Sequence, residues 1–160
     1  MSVQALYETD SAAEAARDEY VTIKIGGQLL GIPVLTVQDV LGPHNILHIP
    51  LAPSAVAGAL NLRGRIVTAL DMRVCVGLPA CEEPSKAMSV VVEHDGELYS
   101  LLVDEVGDVL APPQDGFQRN PSNLAPPWRD VCTGVYRLKD ALLPVLEVKR
   151  LVGLVDEEAA

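Results

Sequence analysis

Two arginines lie close together in residues 61–73, NLRGRIVTALDMR. Arg63 belongs to the only Asn-Leu-Arg-Gly turn sequence in the chain, and Arg65 begins a nearly uncharged, strand-like run. A guanidinium in this position can act in catalysis, bind an anion, form a structural ion pair or contact a partner protein, because it is always charged and donates several hydrogen bonds. The other reactive side chains of the chain narrow this choice.

Metal ligands and nucleophiles are few. The soft ligands are three cysteines and three histidines: Cys75, Cys81, Cys132, His44, His48 and His94. No two cysteines have Cys-x-x-Cys spacing, and His44 and His48 lie in a proline-flanked loop rather than on one face of a helix. The sequence also has no Gly-x-Ser-x-Gly elbow and no cysteine in an electropositive setting. We therefore expect no metal site, no cofactor and no enzymatic activity.

An acidic cluster and a glycine pair are the remaining candidates for chemistry. The segment VDEVGDV carries Asp104, Glu105 and Asp108, but it lacks the ligand alternation and glycine hinge of a calcium loop, so a solvated turn edge is expected. The glycines at 26–27 do not lead into a phosphate-binding helix. The sequence favours a binding module over an enzyme, with a small β-barrel ligand carrier as the alternative.

Composition limits the function further. The chain has 160 residues, 49% of them hydrophobic, and a net charge of −10. The acids concentrate in residues 1–19 and 156–160, so the central part is nearly balanced and has no basic stripe for nucleic acid. We expect acidic tails at 1–18 and 155–160. The odd number of cysteines and the lack of a leader or membrane span predict a cytoplasmic protein without membrane insertion.

The apolar pattern predicts an all-β fold. Strand-like runs of four to eight residues are separated by turn signals such as GG, HDG and KD; they cover residues 20–25, 28–34, 65–70, 88–94, 97–103, 132–138 and 141–147. Short helices are expected at 53–60, where Ser54 could cap the first turn, and at 148–154.

The chain also resembles itself. Residues 27–41 match residues 96–110 at an offset of 69, with seven identities in fifteen positions. Residues 65–78 match residues 141–154 in character at an offset of 76, and the proline-rich stretch at 111–130 accounts for the extra length. This duplication predicts two small subdomains, about 20–83 and 86–154, each the size of a five-stranded SH3-like barrel.

Four segments together resemble the CheW family, the adaptors of bacterial chemotaxis arrays. They are YVTIKIGGQLLGIPVLTVQDVL, GALNLRGRIVTALDMRVCVGLP, LLVDEVGDVL and LLPVLEVKRL, and the resemblance covers residues 19–154. It implies two SH3-like five-stranded barrels and a non-enzymatic scaffold. The partners that it implies are a chemoreceptor tip, the regulatory domain of a CheA-type histidine kinase, and other CheW-like domains where rings form. The same fold serving a non-flagellar chemosensory system is an alternative.

The resemblance also implies a partner-binding surface. Its residues are those of the family surface near the second strand and of the signature turn: Val37, Asp39, Gly58, Asn61, Leu62, Arg63 and Gly64. The signature arginine is thought to pair with an acid, here Arg63 with Asp39, where the family usually has the longer Glu. The chain also departs from the family at Thr68, Cys75 and Val76. Whether Arg63 contacts a partner directly or shapes the surface through Asp39 stays open.

Overall fold

The computed structural model describes residues 18–119, 124–139 and 141–159. The predicted N-terminal tail lies outside these residues, apart from residue 18. Within them, the chain forms two β-sheets and short helices, which confirms the predicted fold class.

The six-stranded sheet has the order β8-β1-β2-β11-β10-β9, and the five-stranded sheet has the order β3-β6-β7-β5-β4. The strands of the first are β1 Tyr20–Ile25, β2 Gln28–Pro33, β8 Glu105–Leu110, β9 Phe117–Arg119, β10 Cys132–Arg137 and β11 Leu142–Leu146. Those of the second are β3 Val37–Leu41, β4 Val56–Leu62, β5 Arg65–Asp71, β6 Met88–His94 and β7 Glu97–Val103. The helices are α1 Met72–Cys75, α2 Pro126–Val131 and α3 Val148–Ala159, with 3-10 turns at Val34–Thr36, Pro84–Lys86 and Gln114–Gly116.

The strand pairing reproduces the duplication residue by residue. Ala69 lies opposite Ser100 in the parallel pair β5–β7, and their equivalents, Val145 and Gly31, lie opposite each other in the parallel pair β11–β2. The antiparallel pairs β4–β5 and β10–β11 likewise share one register and one bulge at their start. Two repeats therefore fold in the same way, each as a hairpin, a third strand, a second hairpin and a helix.

The sheets do not follow the predicted subdomain boundaries. Strands β3 and β5 of the first repeat pair with β6 and β7 of the second, and β8 and β11 of the second repeat pair with β1 and β2 of the first. The six-stranded sheet therefore contains the first hairpin of the first repeat and the later strands of the second repeat. The five-stranded sheet contains the first hairpin of the second repeat and the later strands of the first. The ranges 20–83 and 86–154 mark the two repeats, but they do not mark the two sheets, because the first hairpin of each repeat satisfies both of its edges by pairing with strands of the other repeat.

Two local predictions need correction. Residues 53–60 were expected to form a helix, but most of this segment belongs to β4, because pairing with β5 across a tight turn overrides its weak helical preference. The C-terminal residues were expected to form a tail from 155 onwards, but α3 continues to Ala159. Val155 belongs to the buried core, which gives the longer helix an apolar face to pack. The helix predicted at 148–154 is confirmed.

The buried side chains form one central core and two smaller clusters. The central core takes residues from both sheets and from α3, among them Ile23, Leu101 and Leu151, each with no exposed surface. A cluster around Tyr136 and Leu143 belongs to the six-stranded sheet, and one around Leu60 and Val67 belongs to the five-stranded sheet. Apolar burial therefore joins the sheets as well as filling each of them.

Candidate docking surface around the β4–β5 turn

The Asn-Leu-Arg-Gly sequence forms the tight turn between β4 and β5. Leu62 lies opposite Arg65, which leaves Arg63 and Gly64 as the two central residues, with φ angles of 53° and 84°. Positive φ at both positions is the requirement of a type I′ hairpin turn, whose twist matches the flanking strands. The Asn61 side chain accepts a hydrogen bond from the Gly64 N–H at 2.9 Å. The turn therefore holds Arg63 in a backbone conformation that non-glycine residues rarely adopt.

Arg63 forms the ion pair that the resemblance predicts. Its Nη2 lies 3.1 Å from Oδ2 of Asp39, and the other carboxylate oxygen accepts the N–H of Val40 at 2.8 Å. Asp39 lies on β3 and Arg63 directly follows β4, so the pair joins the two edge strands of the five-stranded sheet. The Arg63 side chain is 80% exposed and that of Asp39 is 27% exposed. The shorter acid therefore reaches its partner, and the guanidinium remains accessible.

Gly58 has a packing role. A Cβ at this position would collide with the carbonyl oxygen of Leu47 and would lie 2.8 Å from Cγ2 of Ile46. Leu47 and Ala59 exchange two backbone hydrogen bonds of 2.8 Å, so the chain before β4 lies directly against the strand. Gly134 is the equivalent residue of the second repeat, and a Cβ there would also meet backbone, at 2.7 Å. Both glycines permit a third segment to approach the bulged strand.

The remaining predicted residues pack inside the domain. Val37 is half-buried against the central core, and Leu62 packs against the cluster of the five-stranded sheet. The structure therefore brings Asp39 and Arg63 together, joins Asn61 to Gly64, and uses Val37, Gly58 and Leu62 to support them.

Exposed apolar side chains surround this turn, and the sequence did not single them out. Val40 is 41% exposed, Leu47 66% and Ile66 74%. Val40 follows the paired aspartate on β3, Leu47 lies opposite Ala59, and Ile66 lies opposite Asn61. An open depression of about 300 Å³ is lined by His44, Asn45, Leu47, Ala59, Leu60, Asn61 and Ile66. The apolar residues in the outward positions of β3 and β5 were the available signal, but only the fold shows that Leu47 and Ile66 line one depression.

A second ion pair was missed. Arg73 donates from Nε to Oδ1 of Asp104 at 2.9 Å and from Nη2 to Oδ2 at 2.8 Å, and the Gly26 N–H donates to the same Oδ2 at 2.8 Å. Asp104 lies at an exposed turn edge, as expected, but its carboxylate is also held by these three hydrogen bonds. Partial burial raises the pKa of the Asp104 carboxyl, but the hydrogen bonds from Arg73 and Gly26 outweigh it and hold the pKa below its ordinary value. The same hydrogen bond raises the pKa of Arg73.

The three residues that differ from the usual family residues are buried or half-buried. Val76 is buried in the central core, and Thr68 is half-buried on β5 opposite Ala59. Cys75 is half-buried in α1, whereas Cys132 is buried and burial raises its thiol pKa to about 12.

In the described part of the chain, no three His, Cys, Asp or Glu side chains are placed to hold a metal ion. None of the helices there is long and apolar enough to cross a membrane.

Comparison with known proteins identifies the family. The model of the CheW-like domain matches residues 19–156. The chemotaxis protein CheW of Rhizobium meliloti is 25% identical over 142 residues, covering 89% of this chain and 92% of that protein. Protein PilI of Pseudomonas aeruginosa is 26% identical over 116 residues, covering 72% of this chain and 65% of that protein.

The fold is also that of a solved structure. The scaffolding protein TtCheW from Thermoanaerobacter tengcongensis superposes with a TM-score of 0.74 at 21% identity, covering 82% of this chain and 89% of that one. The match of the family model spans both repeats and the Arg63–Asp39 pair. The chain therefore belongs to the CheW-like family of chemotaxis adaptors.

Proposed function

We propose that this protein is a non-enzymatic adaptor that couples the cytoplasmic tip of a chemoreceptor to a CheA-type histidine kinase. It would act in the cytoplasm and reach the membrane only through the receptors. The observation that carries the proposal is the exposed Arg63–Asp39 pair at a turn whose strands also carry exposed apolar side chains, in a chain of the CheW-like family. Exposed apolar residues rimmed by polar groups are typical of protein docking sites.

The kinase regulatory domain is the partner that we assign to the surface around the turn. Val40, Leu47 and Ile66 would supply apolar anchors. Arg63 and Asp39 would supply charged groups that fix the orientation of the partner more than they add affinity. Because Gly58 and Asn61 set the backbone of this surface, its shape exists before the partner binds, which lowers the entropy cost of binding.

The receptor tip is assigned to an open groove between the sheets. The groove has a volume of about 630 Å³ and touches β1, β2, β10 and β11 of one sheet and the end of β6 of the other. Its apolar wall includes Val34, Leu35 and Val148, and its polar rim includes Glu93 and Lys149. An amphipathic helix fits such a groove by placing its apolar face against the wall. Two separate docking faces would allow one adaptor to hold both partners and to join rings of CheW-like domains.

Reconstitution tests the proposal. The protein would be mixed with receptor fragments and a CheA-type kinase, and complex formation and the rate of kinase autophosphorylation would be measured. We expect a ternary complex at micromolar concentrations and a kinase rate that depends on the adaptor. The variant pair Leu47→Ser and Ile66→Ser should weaken kinase binding, whereas Leu154→Ser, an exposed apolar residue of α3, is the matched control. Failure of either partner to bind at tens of micromolar would overturn the assignment.

The similarity to PilI supports a second candidate, the same adaptor role in a non-flagellar chemosensory system. The two candidates differ in their partners and not in their chemistry. Parallel binding measurements with kinases of both kinds of system would distinguish them, because the adaptor should couple only to its own kinase.

A further inference from the structure

Asp104 is a link between the two sheets, as is the Val34–Thr36 turn between β2 and β3. Asp104 is the single residue between β7 of the five-stranded sheet and β8 of the six-stranded sheet. Its N–H donates to the carbonyl oxygen of Lys24 at 3.0 Å, and its carboxylate accepts from Gly26 in the β1–β2 turn. Both of these residues belong to the hairpin of the six-stranded sheet. These two hydrogen bonds therefore hold Asp104 against the six-stranded sheet.

Arg73 binds Asp104 from the side of the five-stranded sheet. It lies in α1, directly after β5, and its guanidinium holds both carboxylate oxygens of Asp104. The buried Asp71 fixes this helix, because Oδ1 accepts the Arg73 N–H at 3.0 Å and Oδ2 accepts the Cys81 N–H at 2.7 Å. The arginine therefore projects from a short helix whose backbone is itself held in place. We call Arg73, Asp104 and Gly26 the clamp.

The duplication shows that the clamp exists only once in the described chain. The residue equivalent to Asp104 is Leu35, at the offset of 69, and its side chain is 94% exposed. The residue equivalent to Arg73 is Lys149, at the offset of 76, and both Leu35 and Lys149 line the open groove of about 630 Å³. The same junction thus carries an ion pair beside a smaller depression of about 460 Å³ in one repeat, and no equivalent pair beside the groove of about 630 Å³ in the other.

We propose that Arg73 is a positioning residue that sets the relative placement of the two sheets through Asp104, and thereby sets the opening of the groove at the equivalent junction. The shared apolar core holds the sheets together, but apolar burial has no preferred direction. A bidentate guanidinium–carboxylate pair has a fixed geometry. The core supplies most of the free energy of association, and the clamp selects the arrangement. This inference concerns the chain alone and is independent of the partners proposed for it.

Residual dipolar couplings and amide hydrogen exchange of the full-length chain test the inference. In Arg73→Gln, we expect the couplings of each sheet to fit its wild-type structure separately but no longer to fit one common orientation. The Gly26 amide should exchange about tenfold faster, because its acceptor is no longer held, while amides within β1 and β7 keep their wild-type rates. Arg73→Lys should restore part of the common orientation, since a lysine supplies the charge without the fork.

Arg63→Gln is the matched control, because it breaks an ion pair whose two residues belong to the same sheet. It should leave the common orientation unchanged. If Arg73→Gln does not fold, Asp104→Asn replaces it, since the amide keeps the size of the side chain and cannot accept both sets of hydrogen bonds. A common orientation identical to wild type in the folded variant would overturn the inference. A uniform rise in exchange at all amides would also overturn it, because that result indicates lost stability without a positioning role.

Discussion

Arg63 and Asp39 lie 24 residues apart in the chain and meet at 3.1 Å across the two edges of one sheet. The pair is on the surface, and the arginine stays accessible while it is bound. One contact can therefore both fix the β4–β5 turn against β3 and present a guanidinium to a partner.

Removal of this pair should change binding far more than stability. Exposed ion pairs contribute about 0 to 1 kcal/mol, so Arg63→Ala should lower the free energy of unfolding by at most about 1 kcal/mol in urea titrations. Under the proposed function, kinase binding and adaptor-dependent kinase activity should fall clearly. A loss of several kcal/mol in stability would contradict the exposed position of the side chain.

Exchanging the charges of Asp39 and Arg63 distinguishes two roles of the pair: direct contact of Arg63 with the kinase, and maintenance of the shape of the surface that the kinase binds. The double variant Asp39→Arg with Arg63→Asp rebuilds the pair with its charges reversed. Restored kinase binding relative to the two single variants would show that the pair acts by shaping the surface. Binding that stays lost in the double variant would show that the partner contacts the Arg63 guanidinium itself. Binding titrations of all four proteins measure this coupling.

Gly58 and Gly64 should respond differently to alanine. Gly64 has open space around its Cα, so Gly64→Ala introduces only the cost of a positive φ, about 1 kcal/mol. Gly58→Ala forces a methyl group into the Leu47 carbonyl and should cost about 2 to 3 kcal/mol. Urea unfolding of both variants checks the order. Equal losses would mean that residues 46–47 can move away from β4.

The Arg73–Asp104 pair should add an acid-sensitive component to stability. Because the folded pKa of Asp104 is below its ordinary value, its contribution is complete above the ordinary carboxyl pKa of about 4 and is lost as the pH falls through the folded value. The difference in unfolding free energy between wild type and Asp104→Asn should therefore shrink below about pH 4. A difference that stays constant down to pH 2 would contradict the assignment.

Cys132 should be unreactive in the folded protein. The residue is 2% exposed, and burial raises the pKa of its thiol to about 12, so the sulfur has neither solvent access nor a thiolate population at neutral pH. Alkylation at pH 8 followed by mass spectrometry should modify Cys75 and Cys81 before Cys132, and urea should make all three react. Rapid labelling of Cys132 in native buffer would show local opening around β10.

The sequence by itself determined the fold class, the duplication and the signature turn. Apolar alternation between glycine and aspartate turns specifies strands because side chains point to alternate faces, and the hairpin at 88–103 was predicted to the residue for this reason. Self-similarity at fixed offsets likewise needs no knowledge of contacts. The pairing of Arg63 with Asp39 came from the family resemblance, and the structure confirms it.

Only the tertiary structure decided how the repeats are combined. The exchange of the hairpins β1–β2 and β6–β7 between the repeats depends on which strand edges meet in space, and a sequence period carries no information about that. Residues 56–60 became part of a strand because β5 offered a partner, and the exposed Asp104 gained hydrogen bonds because Arg73 and Gly26 converge on it from distant parts of the chain. Such contacts depend on three-dimensional proximity, whereas strand patterns and repeats are local properties of the sequence.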